Sequence, residues 1–147
     1  MKLIAHRGNT HGPDEVNENN PDYIDKSLSE GYDAEIDVRY DPITTVFWLG
    51  HDEPQYKVSW KWMANRAELL WIHCKDLKTA KECWNYQAFC HTADPYTYTS
   101  TGKIWLHDLT MDIDDSVIIP MIDDTDYPPM NGEPYGICTD YPYLLNK

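Results

Sequence analysis

Short apolar runs that break off at ionisable side chains recur along the chain, and they are what most constrains its fold. Lys2-Leu3-Ile4-Ala5 runs into His6-Arg7-Gly8, Thr45 to Leu49 into Gly50-His51-Asp52, and Leu69 to Ile72 into His73-Cys74-Lys75. Four or five apolar residues make a buried strand but not a helix of useful length. Polar groups at the carboxyl end of such a strand are delivered to a pocket, as in parallel α/β architectures. Arg7 offers a planar fork for phosphate or carboxylate, and His6 can exchange a proton near neutral pH.

The segments between these strands set the order of elements. Residues 9 to 19 are polar and contain Gly12 and Pro13, so they form a loop over the first strand end. Asn20 as N-cap, Pro21 at the first helical position, Ile24 and Leu28 four apart, and Gly31 as terminator predict a helix of about three turns. Ser59 can cap a second helix, with Trp60, Met63, Ala64 and Ala67 on one core-facing stripe. Leu77, Ala80 and Trp84 predict a third. Beyond it, Gln87 to His91, Lys103 to Leu106, Ser116 to Ile119 and Tyr135 to Thr139 read as strands, joined by segments too short or too rich in Pro and Asp for full helices.

Period-two alternation then assigns faces. In Ala34-Glu35-Ile36-Asp37-Val38, Glu35 and Asp37 share one face and the apolar residues the other. Two converging carboxylates repel, and a divalent cation or a pair of bases is the usual remedy, here favouring a hard ion such as magnesium, calcium or manganese. The same alternation puts His73, a candidate ligand, and Lys75, a candidate cation, on one face. His6 and His51, each at a strand end, suggest an acid and a base flanking a bond. Asp52 either orients His51 or caps its turn. His11, His91 and His107 are left over, and His91 with Asp94 is the best further pocket candidate.

Charge and length exclude several alternatives. The 147 residues fit a single domain spanning the whole chain. A net charge of -13, from 25 acids and 12 bases, argues against a nucleic-acid partner or an anionic membrane surface. Residues 104 to 146 hold no Lys or Arg but include Asp108, Asp112, Asp114, Asp115, Asp123, Asp124, Asp126, Glu133 and Asp140, without the spacing of a calcium loop. Cys74, Cys83, Cys90 and Cys138 form no CxxC pair, so free thiols are expected. Only four apolar residues precede His6, and no apolar run approaches about 20 residues, so neither a signal peptide nor a membrane span is expected. A cytoplasmic protein is the expectation. No GxSxG elbow occurs.

The order His6-Arg7-Gly8, Glu18-Asn19, Glu35-Ile36-Asp37-Val38, His51-Asp52, a strand ending in Lys75, and Gly136-Ile137-Cys138-Thr139-Asp140-Tyr141-Pro142 resembles the glycerophosphodiester phosphodiesterase family over almost the whole chain. Leu49 to Pro54, Trp71 to Asp76 and Phe89 to Trp105 resemble a group of its short, poorly characterised relatives. The resemblance implies an α/β fold, a TIM-type (β/α) barrel, here reduced because 147 residues fall far below the about 250 of a full barrel, with several outer helices shortened or lost. A homodimer is one way to cover strand faces so exposed.

By position the resemblance makes His6 and His51 the acid/base pair, Arg7 and Lys75 phosphate-binding groups, Glu35 and Asp37 metal ligands, and Glu18 and Asn19 supports of the site. The third ligand is commonly an acid where this chain has His73; imidazole binds manganese, zinc or iron and tolerates magnesium, but weakens a calcium assignment. Asn20 stands where Thr is usual; either caps a helix. The implied activity is metal-dependent cleavage of a small phosphodiester. Alternatives of the same superfamily are a cyclising lyase or a phospholipase D-like enzyme, and outside catalysis a degenerate module that binds a phosphorylated ligand.

Overall fold

In the computed structural model, which describes residues 1–123 and 125–146, ten strands join in one mixed sheet. Asp124 of the acidic stretch lies outside the described residues. The elements in chain order are β1 (Lys2–His6), α1 (Pro21–Ser29), β2 (Asp33–Asp41), β3 (Val46–Leu49), β4 (Tyr56–Val58), α2 (Trp60–Ala64), β5 (Leu70–Cys74), α3 (Leu77–Cys83), β6 (Gln87–Phe89), β7 (Tyr96–Tyr98), β8 (Ile104–Leu106), β9 (Val117–Pro120) and β10 (Gly136–Thr139).

The helices begin where their caps predict. Asn20, Ser59 and Asp76 each accept a backbone N–H of the first turn through the side chain, and Pro21 opens α1. Ile24 and Met63 are fully buried beneath the sheet's outer face.

β2 is the hub of the sheet. It pairs in parallel with β1 through Asp33–Glu35 on one edge and with β5 through Ala34–Val38 on the other. Past the end of β1, its longer stretch from Val38 to Asp41 pairs antiparallel with β3, which pairs antiparallel with β4. Beyond β1 the order is β10, β9 and β8, all parallel, and then β7, antiparallel to β8; β6 lies beside β5.

The sheet curls strongly. Ile4, Trp71, Phe89, Trp105, Ile118 and Cys138 form one core cluster although they come from strands far apart in the sheet order, and Ser100 N donates to Ala88 O to join the β7–β8 hairpin to β6. Ala34, Ile36, Val38, Ile72, Cys74 and Ala88 face the other way, against the three helices.

The reduced TIM-type (β/α) barrel expected from the sequence is not the fold. The chain forms a mixed ten-stranded sheet with three short α-helices among the described residues. The physical reason lies in the connections. A parallel crossover needs about a dozen residues or more, whereas β2–β3, β3–β4 and β7–β8 are linked by four to six residues and must turn back antiparallel. Ten residues link β8 to β9 and fifteen link β9 to β10, and no helix forms among the described residues of either.

Candidate active site

Alternation within the strands carries a single set of polar groups onto the inner face, above the cluster of Ile4, Trp71 and Cys138. His6 lies two residues beyond Ile4, Asp140 two beyond Cys138, and His73 two beyond Trp71. Glu35 and Asp37 project from β2 between β1 and β5, and both are almost wholly buried.

The two carboxylates are balanced differently. Burial and the nearby charge of Asp37 push the Glu35 pKa above its ordinary value. Burial alone would also raise Asp37. However, the His73 ring and the Asn19 amide lie against its oxygens with the Arg7 guanidinium beside them, so its pKa falls well below the carboxylate range. Asn19 does this with both ends of its amide: Nδ2 donates to Asp37 Oδ2 at 3.0 Å and Oδ1 accepts Asp37 N at 3.0 Å. Arg7 Nε sits 3.1 Å from Asp37 Oδ2, and Lys75 Nζ 3.6 Å from Asp37 Oδ1.

Donor atoms of Glu35, Asp37 and His73 lie within 4.8 Å of one another. His73 Nε2 donates to the backbone carbonyl of His91 at 3.3 Å, leaving Nδ1 to face Asp37 Oδ1 at 3.3 Å and Glu35 Oε1 at 4.0 Å. A carbonyl that fixes the distal nitrogen is the usual support of a metal-binding imidazole. Two carboxylates and one imidazole make a donor set that could hold a divalent cation, with the imidazole suiting manganese better than the harder magnesium or calcium.

His6 is oriented from below. Its Nδ1 donates to Asp140 Oδ1 at 2.7 Å, and its Nε2 lies 3.9 Å from Glu35 Oε2. Burial disfavours the imidazolium, but the hydrogen bond to Asp140 and the charge of Glu35 outweigh it, so the His6 pKa stands above its ordinary value. The same Asp140 oxygen accepts Asn9 Nδ2 at 2.8 Å; Asn9 also donates to Glu18 and accepts the Tyr23 hydroxyl. Glu18 in turn accepts Arg7 Nη1 at 3.0 Å. Arg7 adopts a positive φ of 53°, which turns the chain out of β1 and lets its N–H reach both the backbone and the side chain of Glu35.

His51 is the looser member. It follows β3, its side chain is 44% exposed, and its Nδ1 donates to Asp52, itself 92% exposed. A cavity of about 320 Å³ is lined by His51, Asp52, Arg7, Glu18 and Asn19, among others. Thus no hydrogen bond or ring contact joins His51 to His6 among the described residues; Arg7, adjacent to His6 in the chain, is the link. His91 stacks on His107 with ring centres 3.9 Å apart, and burial with the neighbouring imidazoles lowers the His107 pKa to about 4. Asp94 is exposed and reaches the group only through its charge on His91. A larger hollow of about 1030 Å³ opens at the opposite strand ends, around Lys2, Tyr32 and Tyr135, away from all these groups.

Three contributors escaped the sequence analysis. Asp140 stood in a quoted motif without a role, although period two from Cys138 places it beside the site. Asn9 carries no sequence signal, since its partners Glu18 and Asp140 are distant in the chain. Arg39 continues the Glu35–Asp37 face and donates to the carbonyls of Gly50 and His51, holding the His51 loop. No known protein family, curated protein or solved structure matches the chain, so the chemistry of this site has to be read from its own groups.

Proposed function

We propose that the protein is a metal-dependent phosphodiesterase that cleaves a small, glycerophosphodiester-like substrate. The observation that carries this reading is the convergence of Glu35, Asp37 and His73 donor atoms within 4.8 Å, directly beside Arg7 and Lys75. Three such ligands next to two cations suit an oxyanion shared between a metal and fixed positive charges. When bound, the cation neutralises phosphate charge as the phosphorus becomes crowded.

The chain's own groups do the rest. Arg7, held by Glu18, and Lys75 bind the phosphate oxygens. With Nδ1 committed to Asp140 in one case and Asp52 in the other, His6 and His51 each keep Nε2 for proton transfer. One takes the proton of the attacking hydroxyl as its oxygen bonds to phosphorus. The other returns a proton to the departing alcohol as the old P–O bond breaks. If the attacking hydroxyl is the substrate's own, the product is cyclic; if it is water, the reaction is hydrolysis. An overall charge of -13 supports a small substrate over a polymeric nucleic acid.

The test is cleavage of a panel of glycerophosphodiesters and an aryl phosphodiester, with and without chelator, by the wild type, His6→Ala and Glu35→Ala. Turnover abolished by chelator and by both substitutions is expected; turnover indifferent to all three would overturn the proposal. A second reading, a module that binds a phosphorylated ligand without turnover, is favoured by His73 standing where the resembled family commonly has an acid. Metal-dependent ligand binding without cleavage of any diester would select it.

A further inference from the structure

On the outer face of the sheet, behind His73 and Lys75, three of the four cysteines meet. β5 and β6 run parallel, their paired register ends at His73↔Phe89, and Cys74 and Cys90 each follow by one residue. Alternation puts Cys74 on the face of Ile72 and Ala88, opposite His73, and Cys90 opens onto the same hollow as Cys74 and Ala88. Strand neighbours lie about 4.7–4.9 Å apart, inside the roughly 4.4–6.8 Å between Cα atoms that a disulfide spans. The Cys74 thiol donates to the Ile72 carbonyl of its own strand at 3.9 Å, and Cys83 is packed in the same core cluster. Cys74 and Cys83 are buried, Cys90 is exposed, and Cys74 and Cys90 line one hollow of about 360 Å³ with Ala88, Trp84 and Thr97.

We propose that Cys74 and Cys90 form a reversible intramolecular disulfide, with Cys90 as the entry thiol and Cys74 as the resolving one. The co-reactant is a small-molecule disulfide such as glutathione disulfide. The Cys90 thiolate attacks one of its sulfurs, and the first glutathione leaves as thiolate. Cys74 then attacks the Cys90 sulfur of the mixed disulfide and expels the second glutathione, which takes up the proton. Two protein thiols are oxidised by two electrons and two glutathione thiols are formed. Cys83 is too deeply buried to meet the oxidant first. Burial and the neighbouring Cys74 push the Cys90 thiol pKa up, and the Cys83 thiol with burial pushes that of Cys74 up further, so both steps are slow and need excess oxidant and long incubation. The inference does not depend on what the inner-face site does.

The full chain is incubated with excess glutathione disulfide, quenched with a maleimide, and examined by intact mass and non-reducing peptide mapping. After alkylation in denaturant, the expected result is a monomer that carries two maleimides where the reduced protein carries four, with Cys74 joined to Cys90 and restored by dithiothreitol. Cys90→Ser, a change at an exposed position, is expected to carry a maleimide on each of its three remaining thiols under the same treatment. Unaltered wild-type thiols, a mixed disulfide at Cys90 that never resolves, or a cross-link of Cys74 to Cys83 would each overturn it. The wild-type peptide map decides between these results without any variant.

Discussion

Asp140 holds His6 by a single oxygen that also accepts Asn9, so one buried carboxylate fixes both the tautomer of an imidazole and the loop above it. Because the His6 pKa is raised above its unfolded value, its protonated form contributes stability that is complete below pH about 6.5 and is lost as pH rises through the folded-state pKa. Asp140→Asn keeps the shape and removes the charge. The variant should lower the His6 midpoint, read from its ring proton resonances in metal-free protein. It should also cost about 1.5–3 kcal/mol, a charge-assisted hydrogen bond, in melts run on the acid side, and less on the alkaline side. An unmoved midpoint would remove Asp140 as the positioning group. At this scale the sequence was informative wherever one strand carries both partners: Glu35 with Asp37, and His73 with Lys75, share faces by period two. The contact of His6 with Asp140 spans 134 positions, and local periodicity has no access to it.

Most individual elements were legible for the same local reason. Asn20, Ser59 and the apolar runs place α1, α2, β1, β2, β3 and β5 close to where they lie. β4 and β7 were missed because Tyr56-Lys57-Val58 and Tyr96-Thr97-Tyr98 are only three residues long, with Lys57 exposed in one and both tyrosines in the other. Their pairing depends on partners more than on their own hydrophobicity. These two strands, with β3, also make the sheet mixed, which is why the barrel expectation failed although most strands were in view. The β3–β4 connection carries His51, and Gly50 is its hinge: at a φ of 153°, a Cβ would lie 2.0 Å from the backbone oxygen of Glu53. Gly50→Ala therefore has to move the turn that Arg39 clamps. The expected outcome is a shift of the His51 ring resonances and a loss of diesterase turnover of about tenfold or more, with a stability cost of about 1–3 kcal/mol. Unchanged His51 resonances in a folded variant would show that the turn does not position this residue.

For the molecule as a whole, the weakest electrostatic point is Glu35, a buried carboxylate beside Asp37 in a chain of net charge -13. A cation bound only by the folded state stabilises it by mass action, about 2.7 kcal/mol at a free concentration 100 times its dissociation constant. In a chain of this size each kcal/mol raises the melting temperature by about 2–4 °C, so manganese should lift it by about 5–10 °C. Glu35→Gln removes a ligand and also a charge that costs desolvation. Its metal-free melting temperature should accordingly equal or exceed that of the wild type, while its response to manganese vanishes. Scanning calorimetry with a monovalent salt at matched ionic strength separates this from general screening of the acidic surface, which both proteins share. A wild type that gains no more from manganese than from the matched salt would leave Glu35, Asp37 and His73 as a polar cluster neutralised by Arg7 and Lys75 alone, and the metal-dependent reading would fall with it.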